Sequence, residues 1–460
     1  MAAGDLGADL RSAVGAGHVQ SGSAVTEDYW HDESLSNPAQ APAHLVRPAS
    51  ADEVAAVLRV AGEHGVPVTA RGSGSGMCGA CAPSEHGIVL SFERFNSVLD
   101  IDTVNHVAVV QAGVTLSELD EQLAPHGLSY PVYPGELSAS VGGTVATNAG
   151  GMRAVRYGVT RNNVLGLQAV LPTGEIIRTG GAIAKSSSGY DLTQLIVGSE
   201  GTLALVTEAT LKLHPRLPHS ATVLAPFADL DEVIRTVPKV LASGVAPTIL
   251  EYIDIWTMAA SIHTYGLSLG IPDDVREKAL AYLVVSLENA EADRLNEDIE
   301  KIGGLLVEQF GAMDAYVLDG QAAHKLIQAR ENAFWTAKNA GANEILDAVV
   351  PRGAMPEFFD TARKLAQERG SGLAGCGHAG DGNVHLAVFQ ADPEIRHALV
   401  HDIYATALGL GGAISGEHGI GREKKPHFLA LEDPVKLALL RRLKQAFDPA
   451  GILNPDVLLD

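Results

Sequence analysis

The chain has 460 residues, more than one hydrophobic core usually serves, so we expect two or more domains. Lys and Arg together number 33 and Asp and Glu number 55, and the resulting net charge of -22 disfavours nucleic acid as a partner. With only three cysteines, no signal-peptide pattern and no apolar run long enough to span a membrane, we expect a cytoplasmic protein without a transmembrane segment, and leave peripheral attachment to a membrane open.

Apolar periodicity predicts a mixture of helices and strands along the sequence. Ser50 and Glu53 are placed to cap one of these helices, and Pro215 and Pro218 favour a domain boundary. In sequence order we predict a short helix and a loop in 1–40, a helix over 50–65, a buried strand over 66–72, strands within 88–112, a helix over 115–127, strands over 221–227 and 281–288, helices over 229–244 and 292–311, and a last helix beginning at 434.

A glycine-rich loop follows the first predicted strand. The segment 70–83, ARGSGSGMCGACAP, has four glycines within eight positions. Glycines at this density permit positive φ and let successive N–H groups converge on one anion, such as a pyrophosphate. The spacing matches neither the dinucleotide fingerprint nor the P-loop, so a flexible surface loop is the alternative for this segment alone. Its cysteines, Cys78 and Cys81, are interpreted as small packing residues rather than a redox or zinc pair.

Two further stretches combine glycine with small polar residues. Residues 133–180 contain two glycine pairs with a threonine and an asparagine nearby, and 185–215 contains the segments GYDLT and GSEGTL. Small side chains at such density let the backbone approach a flat ligand closely.

Two histidines bracket a tight polar turn in GCGHAGDGNVHLAVF (375–389). They are His378 and His385, and about thirty residues later ISGEHGIG places Glu417 beside His418. Two histidines and a carboxylate suit a divalent metal with open coordination positions, with zinc favoured and manganese or iron as alternatives. Histidines satisfied within the core are the other interpretation, and spacing alone does not decide between them. The imidazole of His418 titrates in the range that suits a general base.

Taken together and in this order, the motifs resemble the FAD-binding domain of the vanillyl-alcohol-oxidase type of flavoprotein. The resemblance rests on the glycine loop, PG…GG…N.GG…YG, GYDLT and GSEGTL, and ILNP (452–455) is similar to the tail that returns to the flavin in that family. Within the family the sequence most resembles the branch of D-lactate dehydrogenases and the catalytic subunit of glycolate oxidase.

The resemblance implies an α+β fold with two main parts. We expect an N-terminal segment (1–39), a two-subdomain FAD-binding domain (40–216), an α+β cap domain with an antiparallel sheet that carries the metal site (217–440), and a C-terminal tail returning to FAD (441–460). FAD is expected to be non-covalent, because no histidine stands in the 70–83 loop. The implied FAD-binding residues are Arg71, Gly72, Ser73, Gly74, Ser75, Gly76, Gly79, Pro134, Gly135, Gly142, Gly143, Thr144, Asn148, Gly150, Gly151, Tyr157, Gly158, Glu200, Gly201 and Asn454.

The resemblance also assigns roles around the histidine motif. His378, His385 and Glu417 match metal ligands of this branch, and His418 matches the base that removes the hydroxyl proton of a 2-hydroxy acid. Arg330 matches an arginine that contacts the substrate carboxylate, and it stands with Lys338 on a predicted helix, although a solvated helix face is the alternative. Hydroxyglutarate dehydrogenases resemble this sequence less well here, because a lysine of theirs corresponds to Ile345.

These features predict an FAD- and metal-dependent dehydrogenase of a small 2-hydroxy acid, D-lactate or glycolate being favoured. The flavin would pass its electrons to an unidentified acceptor, a quinone, a cytochrome or an electron-transfer protein, and a homodimer is left open. The alternatives are a D-2-hydroxyglutarate dehydrogenase, a non-catalytic FAD-binding subunit of a larger complex, a non-redox flavoenzyme similar to alkylglycerone-phosphate synthase, and a metal hydrolase without flavin.

Overall fold

The computed structural model describes residues 5–460. Residues 5–215 form two sheets and a short strand pair. The strands are β1 (Val19–Ser21), β2 (His44–Val46), β3 (Val68–Arg71), β4 (Ile88–Ser91), β5 (Val98–Asp102), β6 (Val107–Gln111), β7 (Leu128–Ser129), β8 (Val164–Val170), β9 (Ile176–Gly180), β10 (Leu205–Lys212) and β11 (His214–Pro215). The helices are α1 (Leu6–Val14), α2 (Ala51–His64), α3 (Leu116–Leu123), α4 (Val141–Thr147), α5 (Ala154–Tyr157), α6 (Thr160–Asn163) and α7 (Leu192–Ile196).

The first sheet has the order β1-β2-β4-β3, in which β2, β4 and β3 are parallel and β1 is antiparallel to β2. Helix α2 packs its apolar stripe on this sheet. Ser50 caps the helix by accepting from the N–H of Glu53, while the Glu53 carboxylate accepts from the N–H of Ala49 rather than Ser50. The capping box predicted for this helix is therefore only half formed.

The second sheet, β5-β6-β10-β8-β9, is antiparallel throughout. The C-terminal tail returns to the first sheet: Leu453 bridges Val68 in parallel, and Val68 exchanges backbone hydrogen bonds with Ile452 and Asn454. The tail thereby brings Asn454 to the glycine loop that follows β3.

Residues from 219 onward build a seven-stranded sheet and its helices. The strands are β12 (His219–Phe227), β13 (Ile249–Asp254), β14 (Ala281–Asn289), β15 (Tyr316–Leu318), β16 (Glu344–Val349), β17 (Gly372–Gly377) and β18 (Asn383–Phe389). The helices are α8 (Leu230–Ala242), α9 (Ile255–Tyr265), α10 (Asp273–Arg276), α11 (Ala292–Glu308), α12 (Gly320–Glu331), α13 (Ala333–Asn339), α14 (Met355–Glu368), α15 (Pro393–Gly409), α16 (Lys425–Leu431) and α17 (Pro434–Phe447).

The seven-stranded sheet, β15-β12-β14-β13-β17-β18-β16, is antiparallel and covered by helices on both faces. Alternation along β12 explains this, since Val223 faces the core with α8, α11, α14 and α15, while Leu224 faces α9 and α12. The expected α+β class with an antiparallel sheet is confirmed. One local expectation is wrong: the helix predicted to carry both Arg330 and Lys338 is two helices, α12 and α13, separated at Asn332.

Candidate active site

The hairpin between β17 and β18 positions the two histidines of the motif. His378 directly follows β17, and its carbonyl oxygen accepts from the N–H groups of Asp381, Gly382 and Asn383 at 3.1 to 3.2 Å. Gly382 has φ +87°, a conformation that favours glycine, and a Cβ there would meet the Val350 carbonyl at 2.1 Å. The tight polar turn thus folds the backbone so that both histidines lie together.

The loop 414–421 brings Glu417 to this histidine pair. Oε1 of Glu417 lies 3.0 Å from Nε2 of His378 and 3.1 Å from Nε2 of His385. One ligand atom from each of the three side chains lies within 4.8 Å of the others. The second carboxylate oxygen, Oε2, is buried and has no hydrogen-bond partner among the described residues. Two imidazole nitrogens and a carboxylate with an unused oxygen fit a divalent cation.

A buried carboxylate stands behind each histidine. Nδ1 of His378 donates to Oε1 of Glu251 at 2.7 Å, and Nδ1 of His385 lies 3.7 Å from Oδ1 of Asp347. Both carboxylates belong to residues with no exposed surface. Acidic partners behind histidine ligands fix the ring orientation and raise the basicity of the ligating nitrogen. The Glu251–His378 hydrogen bond therefore also fits a metal site, whereas Asp347 lies beyond hydrogen-bond distance of His385.

Asp347 also shapes the loop that carries Glu417 and His418. Its Oδ2 accepts from the backbone N–H groups of Gly416, Glu417 and His418 at 3.1, 3.1 and 2.8 Å, and from the Ser415 hydroxyl at 2.7 Å. Three successive N–H groups turned onto one carboxylate form a compact nest. The position of Glu417 against the histidines follows from this buried anchor.

The pKa values of the clustered side chains are shifted by burial and by the charges of their neighbours. Burial raises the pKa of Glu417, but the neighbouring His378 and His385 outweigh that effect and hold the pKa well below its usual range. Burial lowers the pKa of His378, but Glu251 and Glu417 outweigh it and hold this pKa well above the usual imidazole value. A metal that binds here must displace the proton from His378.

His418 lies at the edge of this cluster. Its ring stacks on His385 with centroids 5.1 Å apart and planes 10° apart, and Nδ1 lies 3.9 Å from Oδ2 of Asp347. Burial lowers the pKa of His418, with a smaller opposing effect from Asp347. The imidazole is therefore neutral at pH 7 and able to accept a proton.

Arg330, at the end of α12, is buried beside the histidine cluster. Its Nη2 lies 2.7 Å from Oε2 of Glu251. Positive and negative side chains therefore alternate along a row of neighbouring ion pairs: Arg330, Glu251, His378 and Glu417. Nε and Nη2 have no well-aligned hydrogen-bond acceptor among the described residues. Lys338, the neighbouring cation predicted from sequence, points elsewhere and pairs with Glu33 at 2.8 Å.

A cleft lies beside the cluster, and a second cavity of about 550 Å³ adjoins it. Glu417 and His418 line both, so the two spaces meet at the histidine cluster. The cleft is lined by thirteen residues predicted to bind FAD: Gly72, Ser73, Gly74, Ser75, Gly76, Pro134, Gly135, Gly142, Gly143, Thr144, Glu200, Gly201 and Asn454.

Two of these residues also tie the cleft together. Glu200, with φ +53°, accepts from the N–H groups of Ile420 and Gly421 at 2.9 and 2.6 Å. Asn454 donates to the carbonyl oxygens of Ala80 and Glu200, and its Oδ1 is buried without a hydrogen-bond partner in residues 5–460. The Glu200 carboxylate is thus occupied within the protein, whereas Asn454 offers a free acceptor to a ligand such as FAD.

Seven residues predicted to bind FAD do not line the cleft, and the structure shows other contacts for them. The guanidinium of Arg71 donates to the carbonyl oxygens of His31 and Asp28 at 2.6 Å. Gly150 allows Glu417 its position, since a Cβ would stand 2.6 Å from Oε2. The others cap or pack the surrounding loops: Gly79 against Asn37, Asn148 at the end of α4, Gly151 against the Tyr133 carbonyl, Tyr157 on His214, and Gly158 at the end of α5.

Sequence reasoning missed Glu251, Asp347 and Lys424, which hold the site from behind. Lys424 is 2 % exposed, and its Nζ donates to the Gly419 carbonyl at 3.0 Å and lies 3.9 Å from Asp347. The signal that could have found the two carboxylates is an acidic residue inside an otherwise apolar strand, as in ILEYI and ILDAVV. Such a residue is costly to bury unless it is paired.

Of the two cysteines of the glycine loop, Cys78 is buried and Cys81 lines the cleft. Both thiols are free, and burial raises the pKa of Cys78 well above its usual value and that of Cys81 to about 12. Neither is a thiolate at neutral pH, which fits a packing role better than a redox or metal role.

Within residues 5–460, no helix combines the length and apolar character needed to cross a bilayer.

Comparison with known proteins gives matches over both parts of the sequence. Residues 42–180 match the model of an FAD binding domain, and residues 216–458 match that of the C-terminal domain of FAD linked oxidases. An "Uncharacterized FAD-linked oxidoreductase" of Mycobacterium tuberculosis is 62% identical over 99% of both proteins. A D-lactate dehydrogenase of Anaerostipes hadrus is 36% identical, covering 94% of this protein and 93% of its own length.

Solved structures show the same fold at low identity. The structure of p-cresol methylhydroxylase with substrate bound has a TM-score of 0.80 and 18% identity, covering 99% of this protein and 96% of that one. The fold implied by the resemblance to the vanillyl-alcohol-oxidase type of flavoprotein is therefore confirmed. The protein belongs to the family of FAD-linked oxidases and is an FAD-binding oxidoreductase.

Proposed function

We propose that this oxidoreductase is an FAD- and divalent-metal-dependent dehydrogenase that oxidises a 2-hydroxy acid to the 2-oxo acid. The observation that carries the proposal is the cluster of His378, His385 and Glu417, with an unpaired carboxylate oxygen, at the junction of the FAD cleft and a separate cavity. A flavoenzyme that only removed electrons from an apolar substrate would have no need of such a cluster.

The side chains around the junction have complementary tasks. A divalent cation held by His378, His385 and Glu417 would supply Lewis acidity toward the hydroxyl and carboxylate oxygens of the substrate. Non-covalent FAD in the adjoining cleft would supply the acceptor for a hydride. Neutral, buried His418 accepts the hydroxyl proton. The Nε–H group of Arg330, which has no acceptor among the described residues, would hold the substrate carboxylate beside the Glu251 ion pair.

The cavity supports a monocarboxylate, such as D-lactate or glycolate, over D-2-hydroxyglutarate. Ile345 lines the cavity, whereas two cations that are near in sequence, Lys338 and Arg352, do not. Lys338 pairs with Glu33, and Arg352 is exposed in a 3-10 turn. A second carboxylate would therefore lack a cation and lose a few kcal/mol. The preference for D substrates rests on the similarity to D-lactate dehydrogenases.

Anaerobic mixing with D-lactate, L-lactate, glycolate and D-2-hydroxyglutarate tests this function. We expect the flavin absorbance to bleach with D-lactate or glycolate at least tenfold faster than with the dicarboxylate. A protein that is purified colourless would favour a hydrolase. A yellow protein that no 2-hydroxy acid bleaches would favour a non-catalytic subunit or a non-redox flavoenzyme. A dicarboxylate that reacts tenfold faster would favour a hydroxyglutarate dehydrogenase.

A further inference from the structure

The cavity beside the histidine cluster is larger than a two- or three-carbon acid requires. Its volume is about 550 Å³, within the range of roughly 300–1,000 Å³ found for sites that enclose drug-sized ligands. Glycolate or lactate would occupy only the end next to His378 and His385. The residues that line the remaining space indicate what else could bind there.

The floor of the cavity is a regular ladder on the seven-stranded sheet. His385 pairs with Cys376 on β17, the next rung on the same face pairs Ala387 with Ala374, and the following rung pairs Phe389 with Gly372. Ile345 on β16 adjoins Ala387 on the middle rung. Residues two apart on a strand face the same side. Beyond the histidine, the floor is thus apolar and mostly made of small side chains.

The ladder also sets the length of the cavity. From His385 to Phe389 the strand advances four residues, which is about 13 Å at roughly 3.3 Å per residue. An extended hydrocarbon advances about 1.3 Å per carbon, given C–C bonds near 1.5 Å. The floor therefore accommodates about ten carbons, of which the first two are the carboxyl and hydroxyl carbons of the substrate.

Two helices form the opposite wall, where alanines alternate with the larger Phe334 and Trp256. On α13, Ala333 and Ala337 lie one turn apart and line the cavity, as do Ala340 at the C-terminal cap of this helix and Trp256 and Ala260 on α9. Ala340 is exposed, and Trp256 is 71 % exposed. On the floor, Gly372 is also exposed. The end of the cavity away from the histidines is thus its mouth.

The charged side chains that line the cavity lie at its inner end, next to the histidines. Among the described residues that line the cavity, the charged or titratable side chains besides Cys376 are Arg330, Glu331, His378, His385, Glu417 and His418. Glu331 also lines the FAD cleft, so it lies on the shared boundary. None of the lining residues on the middle and outer rungs carries a charge. A ligand that fits these walls has a polar acid head and an uncharged hydrocarbon tail.

We propose that the substrate is a 2-hydroxy acid with an extended apolar tail of about six to eight carbons. The proposal rests on the proposed function and specifies its substrate class. With FAD bound, the hydroxyl carbon would give a hydride to the flavin and the hydroxyl oxygen would give a proton to His418, so the products would be the 2-oxo acid and reduced flavin. The tail is chemically unchanged and lies between the α13 alanines and the strand ladder. In a single anaerobic turnover the bound flavin takes both electrons.

The expected effect is a graded response to tail length. Burial of one methylene is worth about 0.8 kcal/mol, or roughly fourfold, in kcat/KM. From D-lactate to D-2-hydroxyoctanoate five methylenes are added, so we expect at least a hundredfold rise. The rise should stop near D-2-hydroxydecanoate, because a longer tail passes the mouth at Gly372 and meets water.

The test measures flavin reduction with unbranched D-2-hydroxy acids of increasing length in the wild type and two variants. Ala337→Leu fills the cavity, whereas Asn339→Leu adds the same side chain to an exposed position of α13 that does not line it. We expect Ala337→Leu to lower the octanoate-to-lactate ratio of kcat/KM at least tenfold and Asn339→Leu to leave that ratio unaltered. A flat wild-type series with active D-lactate would overturn the tail proposal alone. No bleaching by any member would overturn the proposed function itself.

Discussion

Glu251 connects the candidate substrate anchor to the candidate metal site, so its replacement by glutamine tests how both are held. One carboxylate oxygen accepts from Nδ1 of His378 and the other lies 2.7 Å from Nη2 of Arg330. Glutamine keeps the shape but has only one oxygen, so its NH₂ group must face one of these two donors. The negative charge between two buried cations is also lost.

The magnitude follows from those two contacts. Loss of the acidic partner behind a histidine ligand ordinarily weakens metal binding or activity by about 10–100-fold. Leaving a buried charge such as Arg330 unpaired costs roughly 3–5 kcal/mol of stability. For Glu251→Gln we therefore expect divalent-metal affinity to fall by one to two orders of magnitude, a lower melting temperature and slower substrate-driven flavin reduction. FAD should stay bound, because its cleft is built from other segments.

The assay combines metal titration by competition with a chelating dye, thermal unfolding and anaerobic flavin reduction. Glu344→Gln is the matched control for metal affinity and flavin reduction, because Glu344 is another buried glutamate of the same sheet, 8 % exposed, that lines neither the cavity nor the cleft. A Glu251→Gln protein with wild-type metal affinity and wild-type flavin reduction would refute the idea that Glu251 orients His378.

Three further outcomes are expected. Burial raises the pKa of Glu344 from 4.5 to about 7. The folded protein therefore loses stability as the pH rises between these two values. At about 1.4 kcal/mol per pKa unit the loss is roughly 3 kcal/mol. Glu344→Gln should accordingly melt several degrees above wild type at pH 8 and nearly level with it at pH 4.5; an equal difference at both values would contradict this. His418→Ala should slow flavin reduction about a hundredfold or more, with a smaller change in substrate affinity; stopped-flow absorbance decides, and an unaltered rate would assign His418 a structural role. Denaturation should release FAD into the supernatant, because the 70–83 loop has no histidine; flavin that precipitates with the polypeptide would show a covalent bond.

Much of the local structure follows from sequence because the signals are short-range. Helix α2 shows its apolar stripe and its Ser50 cap within one continuous segment, and the order of glycine motifs identifies the family. The break at Asn332 between α12 and α13 has no such signal, since the residues on both sides favour helix. Tertiary packing of both helices against α9 accompanies the break.

The parts of the site that sequence reasoning missed depend on long-range pairing. Glu251 reaches His378 because β13 pairs with β17, and Asp347 reaches His385 because β16 pairs with β18. Neither pairing is encoded by residue spacing, since the partners are 127 and 38 positions apart in the sequence. Histidines with a nearby glutamate could be noticed as a motif, whereas the carboxylates that orient them became evident only from the sheet.

The central claim is that a 2-hydroxy acid reduces the flavin only when the cluster of His378, His385 and Glu417 holds a divalent cation. The most direct measurement is anaerobic flavin bleaching by one D-2-hydroxy acid in metal-loaded, chelated and metal-restored samples of the same FAD-bound protein, with metal content assayed in each. We expect bleaching in the loaded and restored samples and none in the chelated one. Equal bleaching in a chelated sample verified to be free of metal would contradict the account.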